Sequence, residues 1–155
     1  MNLVKLRLAT LFTLAIAFST NAQQPTWNDS QMEVWSIVEQ TWVDDAAENG
    51  NWPDNYVHDK YVTWGADSGG PVYKNASIKW SRFGDAASDT LIYEISPAAI
   101  TVEGNTAVVN YYATTVTKTA DGSRERSVVR ISEVLVKDGE KWLFLAGSNF
   151  APEMN

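Results

Sequence analysis

Four stretches of alternating apolar and polar residues, 91–103, 106–118, 124–137 and 141–149, dominate the second half of the chain. A period of two puts successive side chains on opposite sides of a strand. The joints between the stretches are short and contain glycine: Gly104-Asn105, Ala120-Asp121-Gly122 and Asp138-Gly139. So short a connection leaves each strand only the option of folding back beside its predecessor. The pattern predicts an antiparallel meander of four long strands, with Pro97 marking a bulge or bend in the first.

Both sides of this sheet are apolar in the middle. Trp142, Phe144 and Ala146 alternate with Leu143 and Leu145, and Val128, Val134 and Val136 alternate with Val129, Ile131 and Leu135. A sheet covered on one side only shows polar residues on the other. Either the sheet curls around its own core or a second copy of the chain covers its outer side, and a homodimer through the sheet is expected.

Helical signals precede the sheet. Ser30-Gln31-Met32-Glu33 matches a capping box, Trp35, Val38, Trp42 and Ala46 share one face, and Asn49-Gly50 provides a stop. Trp52-Pro53 opens a shorter helical piece running toward Asp59, and Tyr61-Val62-Thr63-Trp64 reads as a short strand. Residues 65–71 form a glycine-rich loop. Asn75 then caps a third helix with Ala76, Trp80 and Phe83 on one face, ending near Gly84. The fold class is α+β: a curved antiparallel sheet of four long strands plus a short one, with about three N-terminal helices packed on its concave face.

Residues 1–22 stand apart. Lys5 and Arg7 precede an apolar run at 8–18, and Thr20-Asn21-Ala22 supplies small residues for cleavage. Roughly 11 apolar residues are too few to cross a hydrocarbon core of about 30 Å. A secretory signal at 1–22 and a single domain at 23–155 are expected, with no membrane span after signal removal and a periplasmic or secreted location. Removal takes away two basic and no acidic groups, so the mature chain is more acidic than the −7 of the whole sequence. That balance argues against nucleic acid as a partner. The absence of Cys excludes disulfide frameworks, zinc fingers and thiol catalysis. No His-x-x-x-His, EF-hand or Gly-x-Ser-x-Gly pattern supports a metal site or a hydrolase triad.

Val34-Trp35 and Thr41-Trp42 in the first helix, His58-Asp59-Lys60-Tyr61 entering a strand, and the segments ITVEGNTAVV (100–109) and VLVKDGEKW (134–142) follow a familiar order. In this the chain resembles the nuclear transport factor two-like superfamily, which includes SnoaL-like cyclases, ketosteroid isomerase and scytalone dehydratase. The resemblance implies a curled sheet closed at one end by helices, with an apolar pocket between them. It also implies a pocket carboxylate, in some members helped by His or Tyr, whose burial raises its pKa so that it takes a proton from carbon near neutral pH. Family members often carry a His near the end of the last strand. Here that stretch is Ala146-Gly147-Ser148-Asn149, without one.

Each candidate residue has a plainer alternative. His58 is the only histidine and the natural proton shuttle, or else a surface residue at a helix end beside Asp54 and Asp59. Asp45 lies close to the Trp35–Val38–Trp42 stripe and is the choice for a pocket acid, although Asp44-Asp45 also suits a solvated helix end. Arg130 interrupts the face of Val128, Val134 and Val136; it needs a carboxylate or a bound anion there, or it reaches solvent at the sheet edge. Trp42, Trp64, Trp80 and Tyr112 line an aromatic pocket or fill a core, and Ser148 offers a hydroxyl on the last strand. The expected function is binding of a small, largely apolar molecule in a cone-shaped pocket. Any chemistry there is cofactor-free acid–base catalysis of the isomerase, dehydratase or hydrolase type, with Asp45 as base, His58 as proton partner and Arg130 as the orienting cation. The alternative is a non-catalytic protein-binding or scaffold module that uses the sheet face.

Overall fold

A computed structural model describes residues 26–65 and 68–151. The secretory signal expected at 1–22 lies outside the described residues. Within them the order is α1 (Asp29–Ala46), β1 (Val57–Trp64), β2 (Val72–Tyr73), α2 (Lys74–Ala87), β3 (Ser88–Glu103), β4 (Thr106–Thr119), β5 (Arg124–Asp138) and β6 (Lys141–Phe150). This is an α+β fold: one curved, mixed sheet of six strands, in the order β2-β1-β6-β5-β4-β3, with two helices.

The meander forms as its alternation predicts. β3, β4, β5 and β6 pair antiparallel in sequence order, and the register of β3 on β4 shifts between Pro97 and Ala99, where the bend is expected. Gly104 and Gly139 sit at positive φ (54° and 61°) in the tight turns, a conformation that side chains with a Cβ rarely adopt. The remaining strand departs from expectation. β1 runs parallel to β6, with Thr63 opposite Gly147 and Trp64 opposite Ser148, so the sheet is mixed. Strand β1 also begins earlier than the apolar cluster suggests, at Val57, which moves His58 from a helix end onto a strand.

α1 starts from a different capping box than the one read from Ser30. Asn28 Oδ1 accepts from the Gln31 backbone N–H at 3.0 Å, and Gln31 Oε1 accepts from the Asn28 N–H at 2.8 Å. The Gln31 amide also donates to the Ile100 carbonyl at 2.6 Å, fastening the helix start to β3. Val34, Trp35 and Val38 are buried against Val109, Tyr111, Leu135 and Phe144 of the sheet. Burial of such a stripe, at about 25 cal/mol per Å² of apolar surface, is the main force holding helix to sheet.

Two helices are present among the described residues rather than about three. The stretch after Trp52-Pro53 is a set of turns, in which the Tyr56 and Val57 amides both donate to the Pro53 carbonyl at 3.1 Å. The start of β1 at Val57 leaves it no length for a helix. α2 begins at Lys74 rather than after an Asn75 cap, and continues past Gly84 to Ala87. Its aromatic face is not buried: Trp80 and Phe83 are each 63% exposed and pack edge-to-face on one another. Polar ties hold α2 instead. Arg82 donates to the carbonyls of Gly50 and Trp52, both at 2.9 Å, and pairs with Asp54 at 2.6 Å, while Lys74 pairs with Asp59 at 2.7 Å.

Candidate functional site

Between the C-terminal half of α1, the Trp52 turn, β1 and the inner face of β4–β6 lies a cavity of about 360 Å³. Its walls follow from strand alternation. Tyr111 pairs with Ile131 and Thr115 with Ser127, while Glu133 stands opposite Val109 on one side and Gly147 on the other. All of these inner-face residues except Val109 line the cavity, and Tyr61 and Thr63 of β1 complete the wall. α1 contributes Thr41, Trp42 and Asp45, and Trp52 comes from the turn.

Aromatic groups brace one another here. The Trp42 indole N–H donates to the Tyr111 hydroxyl at 3.2 Å, and the Trp42 ring stacks on Tyr93 with centroids 5.7 Å apart. Trp52 meets Phe144 edge-on at 5.6 Å. Such contacts fix ring orientation as well as burying area.

Two carboxyls belong to the cavity. Glu133 Oε2 is shielded from solvent and has no hydrogen-bond partner among the described residues. Burial pushes the Glu133 carboxyl up to about 8, with the Tyr111 hydroxyl, donating toward it, offsetting part of the rise. At neutral pH Glu133 therefore holds a proton. Tyr111 itself is driven up by burial and by the Glu133 charge, so it stays a neutral phenol. Asp45 is raised to about 6, mainly by burial and then by the charges of Asp85 and Glu48, against a smaller lowering by Arg82.

Its neighbour Asp44 has a different environment. One of its oxygens accepts from Tyr56 Oη at 2.6 Å; the other accepts from Asn49 Nδ2 at 2.8 Å and Gln40 Nε2 at 3.1 Å. The Tyr56 bond, followed by that of Asn49, holds its pKa below the usual carboxylate range. Asp44 knits the end of α1 to the following turns.

The expected trio is not brought together. Asp45 lines the cavity, whereas His58 lies outside it, beside Asp59, Lys74 and Lys141, with Nδ1 accepting from the Lys60 amide at 3.0 Å. Arg130 is exposed on the outer face, in register with Tyr112 and Phe150. The physical reason is alternation: odd positions 129, 131 and 133 of β5 face inward, so Arg130 cannot. Of the expected ligand contacts, Trp42 lines the cavity. Trp64 (59% exposed), Trp80 and Tyr112 (49% exposed) lie on outer surfaces. Ser148 borders the cavity, but its register opposite Ser132 and Trp64 carries its side chain toward the outer face.

Sequence reasoning missed Glu133. The signal was present: Glu133 interrupts the apolar face of Val129, Ile131 and Leu135 just as Arg130 interrupts the other. Among the described residues no group of three or more His, Asp or Glu side chains is placed to hold a metal ion.

No family model matches the sequence, and no curated protein matches it significantly. Solved structures do. An NTF2-like protein from Cytophaga hutchinsonii is 17% identical and superposes with a TM-score of 0.69, covering 81% of this chain and 100% of its own. A ketosteroid isomerase-like protein from Erwinia carotovora atroseptica, 11% identical, gives 0.68 over 81% of this chain and 100% of its own. The association domain of C. elegans CaMKII, 13% identical, gives 0.58 over 79% and 98%. This chain has the NTF2-like fold. Among the described residues no helix is long and apolar enough to cross a membrane.

Proposed function

We propose that the chain binds a small, largely apolar molecule in the cone cavity and exchanges a proton with it through Glu133, without a cofactor. The observation that carries this reading is the solvent-shielded, unpartnered Glu133 oxygen among the aromatic walls of the cavity. A buried carboxyl with one oxygen unpaired costs stability, and its retention fits a group whose further partner is the ligand. Protonated, Glu133 is a general acid; once ionised by giving up its proton it is a base of raised strength, suited to isomerisation or dehydration. Asp45, at the cavity edge, is the second acid. The ketosteroid isomerase-like neighbour agrees with this reading at the level of fold.

Exchange of carbon-bound hydrogen for deuterium in D2O, followed by NMR over a panel of small cyclic ketones, tests the chemistry. Exchange is expected for those that bind, with Glu133→Gln slowing it by about 100-fold or more and His58→Ala leaving it unchanged. Binding without exchange overturns the catalytic part of the proposal.

Two further features belong to the same reading. Residues 1–22 act as a cleaved export signal that delivers the domain to the periplasm or medium; N-terminal sequencing of the exported protein tests this, and an intact Met1 overturns it. The outer face, where Tyr112 and Phe150 (56% exposed) flank Arg130, is covered by a second copy of the chain.

A further inference from the structure

We infer that the molecule held in the cavity is an organic cation, a protonated amine or a quaternary ammonium compound, caged by Trp42, Trp52, Tyr61 and Tyr111 and neutralised by Glu133. This deepens the proposed function and rests on its reading of the cavity as a ligand site.

Among the described residues the lining contains two carboxyls and no Lys, Arg or His. Trp42 and Tyr111 present rings locked by their mutual hydrogen bond, and Trp52 is held edge-on against Phe144. Electron-rich ring faces attract a cation most strongly where water is excluded. The enclosed Glu133 oxygen lacks a partner among the described residues, so a positive centre beside it satisfies a buried polar atom that the fold leaves unpaired in the cavity wall. An anionic ligand, by contrast, meets no positive side chain among the described lining residues.

The approach carries the same sign. A second cavity of about 260 Å³ shares Asp45 and Trp52 with the first and adds Glu48 and Asp85. The cation near this acidic entrance, Arg82, is occupied by Asp54, Asp85 and the Gly50 and Trp52 carbonyls. An entrance of one sign raises the local concentration of the oppositely charged solute. A cation arriving beside Glu133 also favours its ionised form, so binding near neutral pH releases a proton.

Titration calorimetry with choline and with its neutral carbon isostere, 3,3-dimethylbutan-1-ol, tests the inference. Choline is expected to bind about tenfold or more tightly than the isostere, with a heat that changes with the ionisation enthalpy of the buffer. Glu133→Gln removes the preference and the proton release, and Asp45→Asn, a variant outside the buried core, reduces the preference in part. Equal or tighter binding of the isostere overturns the cationic assignment while leaving the cavity reading intact. Binding of neither probe, together with no binder in the ketone panel, overturns both.

Discussion

Glu133 faces Gly147 across the β5–β6 pair, so the buried carboxylate lies beside a strand position that has no side chain. A Cβ built on Gly147 would sit 3.6 Å from Thr63 Oγ1, 3.6 Å from Tyr61 Oη and 3.7 Å from Glu133 Cγ, ordinary contact distances. The missing methyl group is cavity space, not relief of a clash.

Gly147→Ala should therefore fold normally and gain up to about 1 kcal/mol, because glycine within a strand is conformationally costly. Its affinity for any cavity ligand should fall. Thermal melts and calorimetry on the same sample check both halves; a lower melting point together with unchanged affinity would contradict this account of the site.

The raised pKa of Glu133 sets a pH dependence of stability. The folded state holds its proton up to about 8, whereas an unfolded glutamate loses it near its ordinary value of 4.5. Between those values the native state binds more protons, so stability falls as pH rises, with a limiting slope of about 1.4 kcal/mol per unit. Above about 8 the loss is complete. Glu133→Gln should match the wild type near pH 4 and exceed it at pH 9 in urea denaturation.

Tyr111→Phe should lower stability by about 1–3 kcal/mol, since it leaves the Trp42 indole N–H at 3.2 Å without its acceptor in a partly buried setting. It should also raise the Glu133 pKa further, by removing the hydroxyl that favours the charged carboxylate. Carboxyl carbon NMR titration reads the second effect directly, and a downward shift would refute it.

Asp44 titrates in the opposite sense. Its folded pKa is depressed by Tyr56 and Asn49, so it stabilises the native state above the unfolded pKa, and that contribution is lost as pH falls through the folded value. Asp44→Ala should lower the melting point by several degrees at pH 7 and flatten the acid limb of the stability curve. Melting curves from pH 2 to 7 give the comparison.

If a second copy covers the outer face, Phe150→Lys with Tyr112→Lys should convert a dimer to a monomer in light scattering while preserving ligand affinity. A wild-type monomer at micromolar concentration would remove the sheet interface.

The meander was legible because alternation is written into neighbouring residues, and the short glycine turns fix which strands pair. The parallel partner of β1 was not, because Val57 and Phe144 are distant in sequence and nothing local near 57–64 names a mate. Periodicity also misread α2: Ala76, Trp80 and Phe83 form a helical stripe, but their face lies open while Arg82 and Lys74 secure the helix. Asp45 was found because it follows the buried stripe of α1 by one turn. Glu133 escaped because alternation separates two faces without telling which is enclosed, and the curvature that encloses one depends on the helix packed across it.

The parallel pairing of β1 with β6 makes Tyr61 and Thr63 neighbours of Gly147, joining early and late segments of the chain in one wall. A nascent chain cannot close this cavity until residues 141–150 have been synthesised, so under the proposed function ribosome-bound intermediates lacking that strand should be blind to the ligand.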